Sequence, residues 1–131
     1  VNKIIEIHDS TVAEITARDG VVSVHFLPAY FHKSEGRPGV DSGTGWVQDA
    51  QLTLIDASVT GELPNLPCRV MDGALVIGKQ RHDNEIPVPL EVTASTELRL
   101  VFDSRHTVTI AGRGVRLDLL GEAEYVEEFR R

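Results

Sequence analysis

The chain has 131 residues, 41% of them hydrophobic, and its 20 acidic against 13 basic residues leave a formal charge of −7. That is the size of one compact domain, residues 1–131 together. The charge, without any Lys/Arg cluster, speaks against nucleic acid, and no apolar run approaches the ~18 residues of a membrane span.

Composition favours strands: 16 Val, 8 Ile and 9 Thr stand against 9 Ala, and β-branched side chains suit a pleated, half-buried surface. In chain order, Asp19-Gly20 separates Thr11–Arg18 from Val21–Leu27 and predicts a two-residue hairpin turn. Trp46–Thr60 alternates in two phases, Ala50/Leu52/Leu54 and then Ile55/Ala57/Val59, so a strand with a bulge or bend near Ile55-Asp56 is expected. Asp72-Gly73 predicts a second hairpin between Cys68–Met71 and Ala74–Lys79. Pro87 and Pro89 place Ile86–Ala94 on a sheet edge, where missing donors are tolerated. Residues 97–120 alternate through Leu98, Leu100 and Phe102, then Val108 and Ile110, then Val115, Leu117 and Leu119. Such period-two patterns predict a three-stranded antiparallel meander with one buried face. Lys33–Gly45 and Gln80–Asn84 read as irregular loops. The acidic tail 121–131, with Tyr125 four residues before Phe129, reads as a helical turn or a last edge strand.

The fold expected is therefore all-β: a single-domain antiparallel sandwich or barrel of about eight to ten short strands, with little or no helix. Its inward face is assigned to Val22, Val24, Phe26, Leu52, Leu54, Leu98, Leu100, Phe102, Val108, Ile110, Val115, Leu117 and Leu119. The lone Cys68 excludes an intramolecular disulfide and reads as a buried, inert thiol. With no basic leader ahead of an apolar core, a cysteine-poor acidic chain is expected in the cytoplasm.

Chemistry is less legible. The five histidines His8, His25, His32, His82 and His106 show no His-x-His or HExxH spacing, so neither a metal nor a cofactor is expected. His8, Asp9 and Ser10 hold the residue types of a catalytic triad, but neighbours on a strand point apart, and no catalytic residue is assigned. The Gly-rich 36–45 segment lacks the GxxxxGK[ST] pattern of a phosphate loop. Tyr30 and Phe31 lead into that segment and Trp46 leaves it, three of only seven aromatics. Large amphipathic rings bracketing a long loop suit a pocket or an interface. The ligand or interface candidates are Tyr30, His32, Arg37, Asp41, Trp46 and His82.

His8-Asp9-Ser10 after an apolar strand, Gly36-Arg37-Pro38-Gly39-Val40 leading to Gly45-Trp46, and the ending 121–129 resemble a group of small bacterial all-β proteins that carries no activity to transfer. The early His-Asp and the closing acidic-aromatic run are also similar to small immunity proteins of bacterial toxin systems; neither resemblance nominates a residue. The functional expectation is a non-catalytic binding or protein-interaction module, with a protein partner or a homodimer formed through a sheet edge or the aromatic-flanked loop, and a small-molecule ligand also open. The alternative is a small enzyme, or a sugar- or metal-binding domain, with its site between segments 30–46 and 80–86.

Overall fold

A computed structural model describes residues 1–130. Its elements are all strands: β1 Asn2–Glu6, β2 Thr11–Arg18, β3 Val21–Ser34, β4 Gly43–Ile55, β5 Ser58–Gly61, β6 Cys68–Ile77, β7 Gln80–Asp83, β8 Glu85–Val88, β9 Glu91–Val92, β10 Thr96–Phe102, β11 Thr107–Gly112 and β12 Gly114–Phe129. Twelve strands replace the eight to ten expected, and 72% of the chain is strand. Among the described residues no helix is long and apolar enough to cross a membrane.

All pairings are antiparallel. They follow an open path, β5-β11-β10-β6-β2-β3-β4-β12-β9, with β1 joining β3 to β8 and β7 added on β6. Strand β6 links the halves: Cys68 and Arg69 pair with β2, whereas residues 70–77 pair with β10. The inner faces meet in one core containing Val24, Phe26, Leu52 and Leu54 from one half and Leu75, Leu98, Leu100, Phe102 and Ile110 from the other. Of the thirteen residues expected inward, Leu117 and Leu119 are only partly buried; the other eleven are buried.

The Asp19-Gly20 hairpin forms as expected, with Arg18 opposite Val21. Asp56, at φ 46°, makes the bend that ends β4 and sends the chain to β5 in the other half. Pro87 sits on β8, which among the described residues pairs only with β1, so that strand is an edge. The tail resolves as strand: β12 follows β4 as far as Phe129.

Five expectations are corrected. Asp72-Gly73 is not a turn but lies inside β6, where Met71 is a bulge residue opposite the Val101–Phe102 step. Gly73 serves close packing there, since a Cβ would stand 2.7 Å from both the Arg99 carbonyl oxygen and Ile7 Cγ2; the hairpin turn comes later, at Gly78-Lys79. Residues 97–120 are not a meander: β10 and β11 pair, but β12 crosses to β4. Gly112 and Gly114 flank that crossing pressed against Ile55, where side chains would collide, and the Arg113 N–H donates to the Ile55 carbonyl at 2.9 Å. Gln80–Asp83 is strand β7 rather than loop, and the 33–45 loop shrinks to residues 35–42 because β3 and β4 run on to pair Ser34 with Gly43. Cys68 is half-buried, its Sγ 3.9 Å from Ser104 Oγ.

Candidate functional site

The site originates in a bulge. Residues 22, 24 and 26 of β3 face the core, but from Ala29 onward the buried apolar positions are 29 and 31. Between Phe26 and Ala29 the strand spends three steps against two on β4. One extra residue reverses the side-chain alternation, and Pro28, which lacks an N–H, sits inside it. Tyr30 and His32, which would have entered the core, are turned to the opposite face. At the same point β3 changes neighbour, from β2 to β1, with Glu6 opposite Tyr30.

Across β3, β4 and β12 the registers align His32, Gly45 and Glu127, and beside them Ser34, Gly43 and Phe129. With no side chain on Gly43 or Gly45, groups from β3 and β12 meet above β4. The Tyr30 hydroxyl donates to Glu127 Oε1 at 2.5 Å, and the rings of His32 and Phe129 lie 4.9 Å apart. A Cβ on Gly45 would collide with the Tyr30 hydroxyl and stand 3.2 Å from Glu127 Cγ. These two glycines, read as loop residues from sequence, form a trough in the strand.

The fourth wall is the turn after β1. Ile7–Asp9 leaves strand geometry, and Asp9 adopts φ 73°, a left-handed conformation that Asp tolerates. The expectation that His8 and Asp9 diverge therefore fails, because strand alternation ends at Glu6. One ligating atom from each of Glu6, His8 and Asp9 falls within 4.8 Å of the others. Glu6 sits between two imidazoles, with Oε1 2.8 Å from His8 Nδ1 and Oε2 in contact with His32 Nε2. His8 Nε2 is 3.4 Å from Asp9 Oδ2, while Asp9 Oδ1 pairs with Arg69.

Two residues pin this turn to β6. Ser10, fully buried, donates its hydroxyl to the Glu6 carbonyl at 2.7 Å and accepts the Tyr30 N–H at 2.9 Å. Its own carbonyl accepts the Val70 N–H at 3.0 Å. Asn84, at φ 58° between β7 and β8, accepts the Ile7 N–H on its carbonyl at 2.9 Å and the His8 N–H on Oδ1 at 2.6 Å, and donates its N–H to the Gly73 carbonyl at 2.8 Å.

The result is a cavity of about 350 Å³ lined by Glu6, Asp9, Tyr30, His32, Asp83, Asn84, Glu85 and Glu127, with Ile4, Gly39 and Phe129. Five lining side chains are carboxylates, and none among the described residues is Lys or Arg. Burial, then the hydrogen bond and charge of Glu127, push the Tyr30 hydroxyl well above the ordinary tyrosine range. Tyr30 thus remains a phenol that donates to Glu127. A group whose folded-state pKa is raised stabilises the fold fully below its unfolded value, about 10, and loses that contribution as pH climbs through the folded one. In a Tyr125→Phe variant, which leaves Tyr30 as the one tyrosine, absorbance at 295 nm is expected to show little phenolate at pH 10. Adding Gly45→Ala, which displaces the hydroxyl, brings the titration back toward pH 10; an ordinary titration in Tyr125→Phe alone would contradict the Tyr30–Glu127 contact.

Of the candidates expected from sequence, Tyr30 and His32 line the cavity and the other four do not. Trp46 follows Gly45, so alternation sends it to the opposite face, where it stacks on Phe31 at 6.4 Å, meets Tyr125 edge-on at 5.5 Å and lies under Lys33 Nζ at 4.0 Å. Arg37 and Asp41 close the 35–42 loop, the Arg37 N–H donating to Asp41 Oδ2 at 2.6 Å. His82 lies on β7 opposite Leu75. The residues missed are Glu6, His8, Asp9, Asn84 and Glu127, spread over three segments of the chain. The one available signal was the run Glu6–Ser10, where an apolar strand stops at His-Asp-Ser. No protein-family model, curated protein or solved structure matches the chain, so a functional reading rests on this geometry.

Proposed function

We propose that the chain is a non-catalytic binding domain whose ligand is positively charged and enters the cavity between segments 30–46 and 80–86. The observation that carries this is the lining: five carboxylates, one imidazole and one phenol around about 350 Å³, with no Lys or Arg among the described residues. A concave site lined by one sign of charge focuses its field and raises the local concentration of the opposite sign. Phe129 and Tyr30 add aromatic surface suited to an ammonium group.

A ¹H–¹⁵N titration tests it. Putrescine and Zn²⁺ are expected to shift the amides of Glu6, Asp9, His32, Asn84 and Glu127, with the putrescine response weakening at high salt. Glucose and inorganic phosphate leave those amides in place. Shifts by glucose or phosphate at the cavity, or no response there to either cation, would overturn the proposal.

A second reading, a protein-interaction surface, draws on the outer edge of β12. Beyond Arg116 this edge pairs with no further strand among the described residues, and Leu120, Tyr125 and Val126 are exposed along it. Unpaired edges invite strand addition. Glu122, Glu124, Glu127 and Glu128 would oppose one another if two copies paired antiparallel there, which favours a basic partner over a homodimer. A cytoplasmic setting belongs to the same proposal, on the single free thiol.

A further inference from the structure

Resting on that reading of the cavity, we infer that the cation it takes is a divalent transition metal, held by a carboxylate oxygen of Glu6, a ring nitrogen of His8 and a carboxylate oxygen of Asp9. The three donor atoms already lie within 4.8 Å of one another, and metal–ligand bonds of about 2.0–2.2 Å close such a set with small side-chain adjustments.

Two contacts position His8 at this cluster: Asn84 Oδ1 accepts its backbone N–H at 2.6 Å, and Glu6 Oε1 lies 2.8 Å from its Nδ1.

His32 supplies an independent sign. It lines the cavity with its side chain 9% exposed, and its buried Nδ1 has no hydrogen-bond partner among the described residues. Its Nε2 meets the second oxygen of Glu6, as an outer-shell group does when it orients a ligating carboxylate. Arg69 on Asp9 Oδ1 does the same from the other side. A mixed imidazole–carboxylate set favours Zn²⁺, Mn²⁺ or Fe²⁺ over Ca²⁺, which prefers an all-oxygen shell. Three protein ligands leave a coordination position open for a further group, and two of them, Glu6 and Asp9, line the cavity. His8 and Asp9 have side chains 41% and 38% exposed, so an ion reaches them from solvent.

Calorimetric titration of the tag-free, chelator-treated chain with Zn²⁺ tests the inference. One ion per chain is expected. His8→Ala, at a half-exposed position that the fold tolerates, lowers affinity at least tenfold, and His32→Ala lowers it about ten- to a hundredfold through Glu6. His82→Ala and His106→Ala leave it unchanged, and the ring nitrogens of His8 shift on adding Zn²⁺. Unaltered Zn²⁺ affinity in His8→Ala would overturn the metal site. If Zn²⁺ leaves Glu6, His8 and Asp9 unmoved while putrescine still shifts the cavity amides, the metal inference falls and the cation-binding cavity stands. If neither ligand acts there, both fall.

Discussion

Phe102→Ala is expected to destabilise the fold by roughly 3–5 kcal/mol, the range for emptying a buried aromatic site. Phe102 ends β10 fully buried in the shared core, beside the Met71 bulge where β6 begins its pairing with the second half. Domains of this size are stable by about 5–15 kcal/mol, so one substitution removes a large part of the total. A fall of roughly 10–20 °C in Tm follows from the usual unfolding entropy. Phe129→Ala, on a partly buried ring at the cavity wall, serves as the contrast and costs less than half as much. Equal losses in urea denaturation would mean that the core is not where the two halves meet.

Ser10→Ala ranks second, and its effect reaches the site. The hydroxyl satisfies the Glu6 carbonyl and the Tyr30 N–H at once, and each buried polar group left without a partner costs about 1–3 kcal/mol. The variant is expected to lose roughly 2–4 kcal/mol and, more specifically, to lose exchange protection at the Tyr30 amide. That amide starts the segment that carries His32, while the Glu6 carbonyl belongs to the proposed metal ligand. Unchanged Tyr30 protection in Ser10→Ala would show that the hydroxyl does not hold the two strands together.

Alternation in the sequence was sufficient wherever a strand ran straight with one wet face. Val22/Val24/Phe26, Leu98/Leu100/Phe102 and Val108/Ile110 behave as that rule requires. It failed where the chain interrupts its own period. The extra residue between Phe26 and Ala29 inverts Tyr30 and His32, and only the pairing with β4 reveals it. Asp72-Gly73 has the composition of a turn, yet Gly73 is there because Arg99 and Ile7 press on it from segments distant in sequence. Gly112 and Gly114 likewise mark a crossing between halves, not a tight link within one sheet.

The site was half legible for the same reason. Tyr30 and His32 stood out as an aromatic and a histidine leading into a long loop, and segment 80–86 does contribute, through Asp83, Asn84 and Glu85. Trp46 drew attention by its rarity, but parity places it behind the sheet from the cavity. Glu127 was one of several acids in a tail that reads as a helical turn or an edge strand, and only the pairing of β12 with β4 brings it over Gly45. Glu6 was marked only by its place at the head of the run Glu6–Ser10, since a carboxylate at a strand end becomes informative only when two histidines converge on it.

The central claim is that this cavity receives a cation at the turn after β1. Anomalous diffraction from crystals equilibrated with Zn²⁺ tests it most directly. A peak about 2.0–2.2 Å from Glu6, His8 and Asp9 donor atoms, with His32 still on the second oxygen of Glu6, is the result expected. Peaks confined to other parts of the surface, with Glu6 still closed between its two histidines, would contradict it.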